Sequence, residues 1–354
     1  SVATIINNGT LIGNTPGQTL TINPTNLTNN GTLRVTAGTL NVAPTNWTNS
    51  ASGSIEAQGG TLTLNGTNLG NSGALSLSAG SVFNLGGAVT VASLGTFTRA
   101  AGSTVNLTGT LNLGGGTLDV GSAGLFKTGG LTSLTGTIAN GTLISTDATP
   151  VLNSQGGTLD GITIGSNLGF TGSTTYIYNN LLLANGVTVD KGSNGWYFRS
   201  GGTQNLATVS GAATINNAGG GMYAGWGVAG QTLQVGSGIT YQGYGTISDS
   251  SVAPIINNGT LIGNTAAQSL SISPKTFTNN GLVNATAGTV SLSPTTLTNA
   301  GTLRIQSGGT MNTGTSTTMT SAGSGIDLQS GGTFGLNGTY TISGGGLAIV
   351  TGAT

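Results

Sequence analysis

LTNNGTLRVTAGTLNVAPTNWTN, residues Leu27–Asn49, is the stretch that decides the fold. It carries a single charged residue, Arg34, and its opening phrase restarts at its end as WTN. Between the two phrases lie two short alternating runs. In TLRV, Leu33 and Val35 share one face while Thr32 and Arg34 share the other; in TLNV, Leu40 and Val42 oppose Thr39 and Asn41. A period of two is the mark of half-buried strands. The separators, AG, NG and APTN, supply turns and positive φ angles. No segment carries a 3.6-residue apolar stripe, so almost no helix is expected.

The phrase recurs along the chain. INNGTL begins at Ile6, LTNNGTL at Leu27, WTNSASG at Trp47 and LGNSGAL at Leu69; the series returns at Ile256, Phe277 and Leu297. Steps of about 20 to 22 residues signal a solenoid before any other fold. Three short strands in about 20 residues predict an all-β chain, a parallel β-helix whose coils lie about 4.8 Å apart. Apolar side chains then stack inside, with Leu27, Trp47 and Leu69 in one inward or corner column. The Asn pairs Asn7-Asn8, Asn29-Asn30, Asn257-Asn258 and Asn279-Asn280 are candidates for corner ladders, each side-chain amide bonding its neighbour one coil away. Thr suits an uncharged β exterior. About 17 such coils predict a rod roughly 80 Å long.

A longer repeat lies over the short one. SVATIINNGTLIGNT at Ser1 reappears as SVAPIINNGTLIGNT at Ser251, and about 30 of the first 50 positions match without a gap. The expected organisation is one continuous β-helix over residues 1–354, with 1–60 matching 251–310 and aromatic-enriched coils over 170–250. The chain reaches Thr354 in mid-pattern without a polar cap, and no secretory signal stands at Ser1. Because solenoids need capped ends, the expectation is a mature or excised segment of something longer.

Composition narrows the function classes. Only 4% of residues are charged, with seven Lys+Arg against seven Asp+Glu, and there is no His or Cys. A net charge of zero gives no steering field for nucleic acid or anionic lipid. No apolar run is long enough to cross a bilayer as a helix, so no membrane insertion is expected. Disorder is excluded by the regular alternation of apolar residues, which make up 36% of the chain.

Several phrases carry a resemblance: GTLDGITIGSNLGF (Gly157–Phe170), NNLLLANGVTV (Asn179–Val189), QTLQVGSGITYQGYGTIS (Gln231–Ser248), INNGTL and FTNNGL. Together they resemble the long repeats of very large bacterial surface proteins, similar to the filamentous-haemagglutinin and autotransporter-passenger class of exported right-handed β-helices. The resemblance implies right-handed coiling, export, display at the cell surface, and adhesion, matrix or filament formation. It implies no catalytic residue.

Candidate sites are few. The acids Glu56, Asp119, Asp147, Asp160, Asp190, Asp249 and Asp327 do not recur at the coil period, so no carboxylate cluster for glycoside chemistry is expected. Asp190 and Lys191 with Arg199 form the densest charged group, which reads as a turn with a solvated pair. GGGTLDVGS and GGTLDG carry one Asp each and lack the tandem recurrence of calcium-binding rolls. Thr19/Thr21 and Thr61/Thr63 have the form of ice-binding arrays, but most coils replace the second Thr. The Asn-x-Ser/Thr sequons are of the kind chance supplies in so Asn- and Thr-rich a chain.

Aromatic residues are the most informative. Six of the seven Tyr and two of the three Trp lie between 176 and 244. In TTYIYNN, an inward Ile177 puts Tyr176 and Tyr178 outside. Trp196 and Phe198 have the parity opposite to Tyr197, so one side of that triplet must be internal. The candidate contact surface is Tyr176, Tyr178, Tyr223, Trp226, Tyr241 and Tyr244, whose rings would offer their faces to a partner; an inner aromatic stack filling a widened core is the equal alternative. The expectation is a non-enzymatic structural protein of the cell surface with no cofactor or metal. Its expected partners are further copies of itself, head-to-tail or lateral, and surface glycans. A carbohydrate-binding or carbohydrate-active β-helix is the alternative, and an ice-binding solenoid a more distant one.

Overall fold

In the computed structural model the alternating phrases become strands that pair in parallel. The structure describes residues 3–322, 325–343 and 347–349; the stop at Thr354 lies outside them. The fold is a parallel β-solenoid of about 15 turns and about 22 residues per coil. Expected were about 17 coils of about 20 residues. Longer central coils account for the difference: neighbouring-coil partners are 28 residues apart at Asn112 and Asn140, and 26 apart at Lys191 and Asn217. The one helical element among the described residues is a 3₁₀ turn at Val91–Leu94, and no helix is long and apolar enough to cross a membrane.

The chain divides into two compact units, residues 1–162 and 163–354. In the first, a representative coil comprises Asn46–Asn49, Ser54–Ala57 and Thr61–Leu64, one strand in each of three columns. The first column stacks Thr4–Asn7, Asn26–Asn29, Asn46–Asn49 and Asn68–Asn71. Its register aligns Leu27 with Trp47 and Trp47 with Leu69, as the spacing predicted. The second column aligns Leu33, Ile55, Leu75 and Phe97; the third aligns Leu40, Leu62, Phe83 and Val105. Apart from Leu69, which is half-buried, these residues are buried. Each aliphatic or aromatic side chain so covered contributes about 1.5–3 kcal/mol.

The second unit repeats the plan. Thr276–Asn279, Leu282–Ala285 and Thr289–Leu292 form one coil, and Thr296–Asn299, Thr302–Ile305 and Thr310–Thr313 form the next. Several of its earlier coils include longer strands, among them Leu168–Leu183, Ala213–Ala224 and Ile239–Asp249, with a register shift inside the pairing of the last two.

The glycine of the Asn-Asn-Gly phrase is needed for close approach. A Cβ on Gly31 would lie 2.1 Å from the Gly9 carbonyl oxygen, and one on Gly281 would lie 2.1 Å from that of Gly259. No side chain fits where successive coils come so near. On the outer surface, Arg34 pairs with Glu56 at 2.8 Å and Arg304 with Asp327 at 2.7 Å, each pair in register on adjacent coils. Such partly exposed pairs contribute about 0–1 kcal/mol.

Candidate functional site

The Asn pairs divide between inside and outside because neighbouring strand residues face opposite ways. Asn7, Asn29, Asn257 and Asn279 are buried. Asn7 Nδ2 donates to Asn29 Oδ1 at 2.7 Å, Asn29 to Asn49 at 2.7 Å, and Asn49 to Asn71 at 2.8 Å. In the second unit, Asn257 donates to Asn279 and Asn279 to Asn299, each at 2.8 Å. The second members of the pairs form an outer rung: Asn30 donates to Asn8 and Asn280 to Asn258, both at 2.9 Å. These inner columns hold the coils together, while the outer surface they leave is neutral.

The aromatic face belongs to the second unit. Ile177 is buried, and Tyr176 and Tyr178 flank it half-exposed. One coil on, Trp196 and Phe198 are fully buried while Tyr197 turns outward. Tyr176 is in register with Tyr197, and Tyr197 with Tyr223, so the three rings form one outward column. Tyr197 and Tyr223 stack with centroids 4.9 Å apart and planes 20° apart; Tyr176 lies 5.9 Å from Tyr197. Trp226, in the turn after Ala213–Ala224, meets Tyr197 edge-on at 4.6 Å and remains 40% exposed. The Arg199 guanidinium lies 4.8 Å from the Tyr176 ring centre, and its Nε donates to the Trp226 carbonyl oxygen at 3.2 Å.

Glycines make room for this column. A Cβ on Gly195 would lie 2.8 Å from the Tyr197 ring, and one on Gly221 2.2 Å from that of Tyr223. Each ring therefore lies back over the glycine two residues before it. Burial, with Tyr223 and Tyr176 close by, raises the Tyr197 hydroxyl pKa above the ordinary tyrosine value. The Tyr faces turn largely toward one another and toward Arg199. What the column offers a partner is its hydroxyl edge and the Trp226 indole, a different presentation from open ring faces.

Two expectations need correction. Tyr241, placed by sequence among the outward rings, is buried: it stands in register between Ile215 and Leu261 in an inner aliphatic column. Its parity is that of buried Ile239, two residues earlier, which was the available signal. Its hydroxyl finds no hydrogen-bond partner among the described residues, and burial drives its pKa far up. Tyr244, of opposite parity, stays half-exposed against Gly219.

Lys191 is likewise no solvated turn residue. It follows Val189 by two positions in Thr188–Gly192, shares its inward face and is fully buried. Its Nζ donates to Asn217 Oδ1 at 2.9 Å and lies 5.9 Å from the Trp196 ring centre. Desolvation pushes its pKa down to about 7. Asp190 faces outward, where its Oδ1 accepts a hydrogen bond from Asn216 at 2.6 Å. Sequence reasoning also left Tyr197 and Arg199 outside the candidate contact set; the parity of Tyr197 against Trp196 and Phe198 was the usable sign for the first.

Other acids serve as acceptors between coils. Asp119 Oδ2 accepts from the Thr146 hydroxyl at 2.6 Å, and Asp147 accepts from Ser122, which holds its pKa below the usual carboxylate value. Among the described residues, no group of three His, Cys, Asp or Glu side chains is placed to hold a metal ion. No family model, curated protein or solved structure matches the chain.

Proposed function

We propose that this chain is a structural segment of a bacterial adhesin or filament-forming cell-surface protein, working outside the cell. The observation that carries the proposal is the outward column Tyr176, Tyr197 and Tyr223 with Trp226 beside it. The inner Leu, Val and Ile columns cover the core without such rings on the exterior. A column of aromatic edges on an otherwise neutral Thr/Asn surface suits a contact surface. A low-charge exterior also removes the repulsion that would keep neighbouring copies apart. The partners in this reading are further copies of the chain, in lateral or head-to-tail association.

Carbohydrate binding at the same face is the second reading. It is favoured by Trp226, which combines an exposed indole with neighbouring Tyr hydroxyls and the Arg199 guanidinium. One experiment separates the two. Electron microscopy and sedimentation of the wild type, of Trp226→Ala and of Tyr176→Ser/Tyr178→Ser are run beside binding to a glycan array. Loss of fibres or of self-association in variants that remain folded supports assembly. Selective loss of glycan capture supports the second reading. Unaltered association and glycan capture in both variants would remove the aromatic face from either role.

A further inference from the structure

We propose that Lys191 and Asn217 join through an intramolecular isopeptide bond that ties two successive coils of the second unit together. Thr188–Gly192 pairs with Ala213–Ala224, and the register shift between Asp190 and Gly192 leaves Lys191 beside Asn217. Both side chains are buried, and Nζ already touches the Asn217 carboxamide at 2.9 Å from Oδ1. Asn217 Nδ2 donates to the Gly220 carbonyl oxygen at 2.9 Å and also to that of Tyr244. The carboxamide is therefore pinned while the amine lies against its other end. Holding two reacting groups in contact replaces a collision in solution by an intramolecular step.

The surroundings supply a nucleophile. Burial beside Trp196 lowers the Lys191 pKa to about 7, so a large share of the amine carries a free lone pair near neutrality. The interior also keeps out the water that would otherwise hydrolyse the amide. Trp196 Nε1 is a buried donor with no acceptor of its own among the described residues.

The step balances without oxidant or co-reactant. The Nζ lone pair attacks Asn217 Cγ, and the Nζ–Cγ bond forms. The Cγ–Nδ2 bond then breaks, and a proton from Nζ passes to Nδ2, which leaves as ammonia. The Asp190 carboxylate is turned outward onto Asn216, so it does not relay that proton. The bond therefore forms slowly and accumulates as the protein ages.

The test is the intact mass of the full chain, measured fresh and after prolonged incubation at about pH 9, where the Lys191 amine is free base. The expected result is the loss of one ammonia, with a branched peptide containing Lys191 and Asn217 after digestion. Lys191→Arg should abolish the branched peptide. If that variant fails to fold, the wild-type measurement still decides. An unchanged wild-type mass overturns the proposal. So does a loss that maps to a succinimide at one of the Asn-Gly steps, such as Asn30-Gly31, with no branched peptide.

Discussion

Asn29 and Asn49 lie twenty residues apart in sequence and 2.7 Å apart in space, amide nitrogen to amide oxygen, both fully buried. Asn29 Nδ2 also reaches the Gly31 and Ser54 carbonyl oxygens at 3.1 and 3.2 Å. One carboxamide therefore serves its own turn and the coil that follows.

Asn29→Ala should cost about 2–4 kcal/mol, because it removes several buried hydrogen bonds and leaves partners unpaired. Asn29→Asp should cost at least as much, since a carboxylate cannot donate to Asn49. The outer Asn30→Ala should cost under about 1 kcal/mol. Denaturant unfolding of the three variants provides the comparison; equal costs at the inner and outer positions would refute the division of labour.

Gly281→Ala places a methyl group 2.1 Å from the Gly259 carbonyl oxygen. Coils must separate to admit it, so a loss of about 3 kcal/mol or more is expected. Gly80→Ala is a useful contrast: its Cβ would meet nothing within 4 Å, but its φ is +77°. That substitution should show only the backbone strain of a left-handed position, about 1–2 kcal/mol. Thermal melts of the two variants separate a steric cost from a conformational one.

Lys191 makes stability depend on pH before any crosslink forms. Its folded pKa of about 7 lies below the unfolded value of about 10.4. Between those values the unfolded chain binds the extra proton more readily. Stability should therefore climb as pH rises from about 7 to about 10.4, and this contribution should be flat below that window. Lys191→Met should abolish the climb and raise the melting temperature at pH 7. A pH profile of melting temperature that is identical in wild type and variant would contradict this account.

Tyr197 touches Tyr176, Tyr223 and Trp226, whereas Trp226 stands at the edge of the group. At about 0.5–1.5 kcal/mol per ring pair, Tyr197→Ala should destabilise by about 2–4 kcal/mol. Trp226→Ala, which loses two ring pairs rather than three, should cost about two-thirds as much. Chemical denaturation of both variants checks the order, and a larger cost at Trp226 would show that the indole is part of the packing.

Much of the fold was legible because strand alternation and coil period are local signals. Leu33, Leu40 and Trp47 needed only parity and spacing to be placed in their columns. Tyr241 and Lys191 were harder for one physical reason. A polar or amphipathic residue at an inward parity reads as a break in the pattern, and only the neighbouring coil shows whether the interior accommodates it. Ile215 and Leu261 flank Tyr241, and Asn217 meets Lys191, from coils about 20 to 26 residues away. The orientation of the Tyr197 ring depends on Gly195 beneath it and on Tyr223 one coil on, and neither contact follows from composition. Coil lengthening at Asn112 and Asn140 escaped because Gly-rich turns absorb extra residues without disturbing the alternation.

The buried asparagines of the two inner columns, Asn7 to Asn71 and Asn257 to Asn299, point one way. Asn7 Oδ1 accepts from the Gly9 amide while its Nδ2 donates forward to Asn29, and Asn257 is anchored by Gly259 and Asn279 in the same sense. Along the outer face the arrow reverses: Asn30 donates back to Asn8, Asn46 to Asn26, and Asn280 to Asn258. Amide dipoles in a row add, as they do along a helix. Two opposed rows subtract. In electrical terms the coils resemble cells wired in opposition, so lengthening the stack adds cohesion without building a voltage between its two directions.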